Sequence, residues 1–438
     1  MMSDQPTFHL GITLAGAVSA GCYTAGVLDY LFETFDLWEQ AKAGSLEGIQ
    51  NTALVPRHNV VIEAIGGASA GGMCASMAVL HAMNPQRKPV STPLNTPQKR
   101  NNIFYDSWVL LDDDQRETFA KLMDVSDLQS GKVTSLLNSK PIDSIAERAF
   151  QVSGALRLDT LPAYIASDLE VLLSVTMLRG LPLEVDFRTP IRARAKKGRY
   201  SPSHITWEHY TLAHFKLSDA DARRKGYLWL NPFDAEARAL MLKCTIATGA
   251  FPIGLKFRKF EASDFPVDYL KEVAERIVFS RFGDEAHHTD IEQVREQIRM
   301  EFQPLELPKK SQDKLERLLD GLPGSANELA NYAADKMDSA ENVVAALSDL
   351  PDHIDWERLK DDFSFTAVDG GVINNEPFGE VLKLIKNKFE HENENEHQSY
   401  GVIMVDPFPD RMDREKSEQD EPYKHPDDLF GVAGKLIK

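Results

Sequence analysis

Val60-Val61-Ile62-Glu63-Ala64-Ile65-Gly66-Gly67-Ala68-Ser69-Ala70-Gly71-Gly72-Met73-Cys74-Ala75-Ser76-Met77-Ala78-Val79-Leu80 reads as a buried strand, a tight turn and a helix of small residues. The β-branched run at its start suits a strand inside a sheet, and the glycines mark the turn. Within it, Gly67-Ala68-Ser69-Ala70-Gly71 matches G-x-S-x-G. In such an elbow the flanking glycines remove side chains that would clash, and the serine hydroxyl stands at the tip with a helix N-terminus behind it. Ser69 is therefore a candidate nucleophile for acyl transfer. A pentapeptide of common residues also arises by chance, as the small-residue start of an ordinary helix, so the reading depends on what else the chain carries.

Two further segments fit. Phe8-His9-Leu10-Gly11-Ile12-Thr13-Leu14 reads as a buried strand, followed by the loop Ala15-Gly16-Ala17-Val18-Ser19-Ala20-Gly21 and a helical pattern with Val27, Leu28, Leu31 and Phe35. Backbone N–H groups in such a loop can converge on a phosphate or on a developing oxyanion. A P-loop needs Lys then Ser/Thr after its last glycine, whereas Cys22-Tyr23 follows Gly21 and Met73 follows Gly72; G-x-G-x-x-G spacing fails at both loops as well. The oxyanion reading remains. Far along the chain, the alternating strand Phe363-Ser364-Phe365-Thr366-Ala367-Val368 ends in Asp369-Gly370-Gly371. Asp-Gly-Gly alone is commonly a plain turn, but a carboxylate at a strand end, with the chain turning sharply away, can reach a serine on a neighbouring strand.

A glycine-rich N-terminal loop, a G-x-S-x-G elbow and a distant D-G-G, in that order, resemble the patatin-like phospholipase family. Ala247-Thr248-Gly249-Ala250-Phe251-Pro252 is similar to that family's small-residue, proline-ended segment, and Asn374-Asn375-Glu376-Pro377 to its Asn-rich helix start. The resemblance runs from about Ile12 to Asp406. It implies a three-layer α/β/α hydrolase with a central, mainly parallel sheet, Ser69 as nucleophile and Asp369 as its dyad partner. It also implies oxyanion donors from the first loop, Gly16, Ala17 and Val18, together with Ala70. One departure stands out: the family's loop is usually Gly-Gly-Gly-x-Arg/Lys-Gly, and here Ala17 and Val18 replace glycines and Ala20 the basic residue. Backbone donors survive such replacements if the local angles suit a residue with a Cβ. Loss of one donor costs about 2.7 to 4 kcal/mol of barrier.

The chemistry expected is attack by Ser69 on an ester carbonyl with Asp369 as base, then hydrolysis of the acyl-enzyme. A Ser, acid, His order would need a later histidine, and only His391, His397 and His425 follow Asp369. The first two sit in the charged run Glu390 to His397, read as a solvated loop, and His425 lies among prolines and acids. His287-His288 has no spaced Cys or acidic partners, so no catalytic metal is expected, and no cofactor.

With 438 residues, 42% of them hydrophobic, the chain is globular and able to bury a large core. A net charge of −18 argues against nucleic acid as a partner, since displacing counterions from phosphates needs a basic footprint. The same charge repels anionic headgroups unless contact is local. The stretch Arg192 to Tyr200 is the one local basic run, read as an exposed hairpin loop or a membrane contact. Three cysteines, Cys22, Cys74 and Cys244, without metal spacing, indicate a reducing compartment. The N-terminus lacks a signal-peptide pattern, so a cytoplasmic protein meeting membranes peripherally is expected.

Along the chain, a first α/β block runs to about Met83, a Pro-interrupted loop to Asn102, and residues 105–160 read as mainly helical. Leu169 to Thr176 is a strong strand, with further strands around Leu183–Phe187 and Tyr210–Leu217, then a helix over Ala239–Ile246. One hydrolase domain is expected over 8–438, with a helical insertion at 266–359 serving as cap or lid and charged loops at 389–398 and 407–428. A helix over Phe378–Lys388 and a strand over Tyr400–Val405 close the core, and an amphipathic helix begins at Leu429. The function expected is a phospholipase A-type serine lipid acyl hydrolase acting on glycerophospholipids at a membrane surface. The alternatives are a thioesterase or acyltransferase using Ser69, or a catalytically weak lipid-binding module. Oligomeric state is not legible.

Overall fold

The computed structural model describes residues 6–49, 51–89, 101–111, 117–131, 133–152, 154, 156–185, 204–221, 226–270, 273, 309, 312, 363–389 and 399–408. All but the last of these lie in one compact unit, Met1–Pro407. The basic run Arg192–Tyr200, nearly all of the 266–359 insertion, His287, His288, His391, His397, His425, most of both charged loops and the helix at Leu429 lie outside the described residues.

The strands are β1 (Thr7–Leu14), β2 (Asn59–Gly67), β3 (Ile165–Val185), β4 (His204–Leu217), β5 (Leu228–Leu230), β6 (Arg258–Phe260), β7 (Phe365–Asp369) and β8 (Tyr400–Val405). They form a single sheet in the order β5-β4-β3-β2-β1-β8, with β7 added to β3 and β6 to β7. The ladders β8–β1, β1–β2, β2–β3 and β4–β5 are parallel; β3–β4, β3–β7 and β6–β7 are antiparallel. The fold is thus mixed α/β with a mostly parallel central sheet. β1 and β2 are buried without alternation from Leu10 and Ile62 to their ends, as central strands covered on both faces must be.

The helices fully within the described residues are α1 (Gly21–Ala43), α2 (Ser69–Ala82), α3 (Ile103–Trp108), α4 (Thr118–Leu122), α5 (Lys140–Ala149), α6 (Ala235–Thr248) and α7 (Phe378–Phe389). α2 is buried at every residue except Met73, so it lies inside the molecule with neighbours all round. Its small residues allow α6 to approach closely: Thr245 Oγ1 donates to Ser76 Oγ at 2.7 Å. α7 covers β1, β2 and β8 and is tied to the sheet by Lys388, which bridges Glu63 and Asp168 at 2.7 and 2.9 Å. This completes three layers.

Two expectations need correction. Among the described residues of 105–160 the helical content is broken into short pieces, α3 to α5 and two 3-10 turns, Ser126–Ser130 and Leu158–Thr160. The strands expected at Leu169–Thr176 and around Leu183–Phe187 join, as far as Val185, in one strand of 21 residues, β3; Phe187 lies outside the described residues. Gly180 and Pro182 look like a break in sequence; in the sheet they are absorbed by a register shift between Thr176 and Leu181.

Candidate active site

β3 is long enough to serve two partners along one edge, and this creates the site. β2 pairs with its first half in parallel and ends at Gly67, opposite Leu173. β7 pairs with the next stretch antiparallel and ends at Asp369, opposite Val175. The two strands meet head-on, so their C-terminal ends converge although they are 300 residues apart in sequence. Ser69 Oγ donates to Asp369 Oδ2 at 2.6 Å. The other carboxylate oxygen, Oδ1, accepts the Gly371 N–H at 2.8 Å, which fixes the carboxylate plane. Among the described residues no histidine is hydrogen-bonded to either member.

The elbow has the backbone its sequence predicts. Ser69 lies at φ 51, in the left-handed region. A non-glycine residue held there is strained, and such strain persists only where the surroundings enforce it. A Cβ on Gly67 would meet the Gly71 backbone, and one on Gly71 would collide with the Leu14 and Ala15 carbonyl oxygens. Gly370 lies directly against the Ser174 carbonyl, which lets β7 turn away immediately after Asp369.

Both side chains are shielded, with Ser69 8% and Asp369 4% exposed. Burial pushes the Asp369 carboxyl up to about 6, opposed by the hydrogen bonds from Ser69 and Gly371. The α2 N-terminus beside it supplies a positive partial charge.

The N-terminal loop stands next to the serine: a Cβ on Gly16 would lie 3.0 Å from Ser69 Cβ. Its Gly16 N–H is already committed, donating to the Asn375 carbonyl at 3.0 Å, while Asn375 Nδ2 donates to the Gly16 carbonyl at 3.1 Å. That leaves Ala17 and Val18, with Ala70 at the start of α2, as the candidate oxyanion donors. Val18 lies at φ 44. The loop therefore keeps a glycine-type conformation with a β-branched residue in it, which is the unfavourable case for a Cβ. Ala20, standing where a basic residue would be expected, ends the 3-10 turn Val18–Ala20 that leads into α1.

Three residues quoted in the sequence without a role, Thr248, Ala250 and Asn375, turn out to hold the machinery. Thr248 Oγ1 accepts the Ser69 backbone N–H at 3.0 Å, and the Ala250 carbonyl accepts that of Asp369 at 3.0 Å. Asn375 clamps Gly16 as described. Their only signal in the sequence is the pair of motifs Ala247 to Pro252 and Asn374 to Pro377. No group of three or more His, Cys, Asp or Glu suited to a metal ion occurs among the described residues. Nor is any described helix long and apolar enough to cross a membrane.

No protein-family model matches the chain. It is similar to the uncharacterized protein y4iI of Sinorhizobium fredii (strain NBRC 101917 / NGR234), 27% identical over 94% of this chain. The chain spans about half the length of that relative, 51% of it.

Proposed function

We propose that this protein is a serine lipid acyl hydrolase of patatin-like, phospholipase A type, working through a Ser69/Asp369 dyad. The observation that carries the reading is the buried 2.6 Å hydrogen bond from Ser69 Oγ to Asp369 Oδ2, made by a serine at positive φ on a helix N-terminus. A structural serine needs none of these three together.

In the reaction, Ser69 Oγ attacks the ester carbonyl carbon as its proton passes to Asp369 Oδ2. The carbonyl oxygen becomes negative facing the Ala70 N–H and the Ala17–Val18 backbone, where fixed dipoles stabilise it. Collapse breaks the C–O bond of the leaving alcohol, which takes the proton from Asp369 and departs, leaving an acyl-Ser69 ester. Water then gives its proton to Asp369 and attacks the acyl carbon. Fatty acid leaves as Ser69 Oγ regains the proton. A carboxyl raised to about 6 is a better base than an ordinary aspartate near 3.9 and is still ionised at neutral pH. Alignment within a water-poor site supplies the remainder.

The test is fatty-acid release from mixed phospholipid vesicles, with fluorophosphonate labelling in parallel. Wild type is expected to release fatty acid and to label at Ser69; Ser69→Ala loses both, and Asp369→Asn loses release. Labelling without release from any lipid transfers the assignment to a thioesterase or acyltransferase, read by acyl-CoA turnover. Absence of both leaves a lipid-binding module.

A further inference from the structure

Between α3 and α5 the chain holds apolar side chains in water. Phe119, Met123, Val125, Val133 and Leu136 are each 69 to 74% exposed. Single exposed apolar residues are ordinary, but a cluster in one short segment gives no burial energy to the fold and marks a surface that meets something else. The segment is tied down by its own hydrogen bonds. The Asn138 N–H donates to the Leu122 carbonyl at 2.8 Å, and the Leu136 and Leu137 N–H groups donate to the Ile253 and Gly254 carbonyls at 2.8 and 3.0 Å. These bonds bring Met123, Leu136 and Ile253 together.

Ile253 carries a second oddity: it is 58% exposed and lies at φ 68. A β-branched residue held in the left-handed region with its side chain in solvent is doubly unfavourable. It stands three residues after Ala250, whose carbonyl holds the Asp369 N–H. Three residues reach at most about 10 Å, so the Ile253 backbone lies within that distance of Ala250, the residue bonded to Asp369.

We propose that this shelf is the face that settles on an uncharged or zwitterionic lipid surface, with Ile253 at its edge nearest Ser69 and Asp369. Two observations select that occupant. Glu117 to Leu137 carries two lysines, Lys121 and Lys132, against three acids, Glu117, Asp124 and Asp127, so it is nearly neutral on a chain of net charge −18. It therefore complements a surface without net charge, not an anionic one. The shelf also ends at Ile253, three residues from the Ala250 carbonyl that accepts the Asp369 N–H, so a lipid surface lying on it lies near the buried dyad. The purpose of this docking rests on the hydrolase reading above; the docking itself does not.

The experiment uses the full chain carrying Ser69→Ala, so that vesicles are not consumed, and measures co-sedimentation with phosphatidylcholine vesicles. Adding Phe119→Asp, Met123→Asp and Leu136→Asp together is expected to weaken partitioning roughly tenfold or more, since each removes an apolar side chain from the lipid. With Ser69 restored, the triple variant turns over a soluble short-chain ester at the parent rate, which shows that it is folded. A Leu136→Trp variant gains emission over its parent that brominated phosphatidylcholine quenches. The proposal is overturned if the parent does not bind vesicles, if the triple variant binds equally well, or if the three substitutions instead dissolve a dimer seen by analytical ultracentrifugation. Failure of the soluble ester to turn over in the parent sinks the hydrolase reading and leaves the vesicle result to stand by itself.

Discussion

Asp369 is asked to hold a charge where burial resists it. Its carboxyl is raised from an ordinary 3.8 to about 6, so the folded state binds the proton more tightly than the unfolded chain does. The group's contribution to stability is therefore full below about pH 4 and is lost as pH rises through about 6. Asp369→Asn removes the buried charge while keeping an acceptor for the Gly371 N–H. It should be more stable than wild type by up to about 3 kcal/mol at pH 8 and equal near pH 4, measured by urea unfolding at both. If Asp369 is the base of a hydrolase, as proposed, kcat/KM should fall about tenfold per pH unit below an apparent pKa near 6 and be flat above it. Val18, at φ 44, gives the second residue-scale test. Relief of left-handed strain, less the entropy of a new glycine, makes Val18→Gly stabilising by about 1 kcal/mol, with labelling by fluorophosphonate retained. A drop in melting temperature would mean that the valine side chain packs usefully. Ser69 and Asp369 were legible because each sits in a contiguous pattern of strand, turn and glycine. Thr248 and Asn375 were not legible in the same way: they act through hydrogen bonds spanning 179 and 359 residues, which leave no local spacing to read.

At the scale of elements, the site exists because β2 and β7 run toward each other along β3, and α6 ends where they meet. The separate strand, loop and helix signals of the sequence carried the first block, α7 and β8 nearly to the residue. The length of β3 was hidden by Arg179-Gly180-Leu181-Pro182, a stretch that looks like punctuation but is a register shift inside one strand. The pairing of β7 with β3 was equally hidden, since partner choice between distant strands is fixed by packing and not by propensity. Short α4 follows the same logic: its segment reads as helix in the sequence, yet Phe119 and Met123 face solvent. α6 offers the test at this scale. Its last residue, Thr248, accepts the Ser69 N–H in a buried place. Thr248→Val keeps the shape and removes the acceptor, leaving a buried donor unpaired at a cost of about 1 to 3 kcal/mol. We expect lower stability together with a slower fluorophosphonate reaction at Ser69, and recovery of both in Thr248→Ser. Recovery of stability without recovery of reactivity would make Thr248 a packing residue only.

For the whole molecule, net charge and local chemistry pull apart. A chain of net charge −18 repels an anionic vesicle over a distance set by the Debye length, about 30 Å at 0.01 M salt and about 8 Å at 0.15 M. A zwitterionic vesicle has no such barrier. If the dyad hydrolyses phospholipid at a surface, encounter with the surface limits the rate at low enzyme concentration, and that encounter is where long-range charge acts. Fatty-acid release from vesicles rich in anionic lipid should therefore be slower than from phosphatidylcholine vesicles at 0.01 M salt, and the difference should shrink as salt is raised to physiological strength. Turnover of a soluble, uncharged ester should not respond to salt over the same range, because Ser69 and Asp369 are buried and poorly screened. Initial rates of release on the two vesicle types across a salt series decide the matter. Faster hydrolysis of anionic vesicles at low salt would mean that a local basic patch, and not the acidic whole, governs how this protein meets lipid.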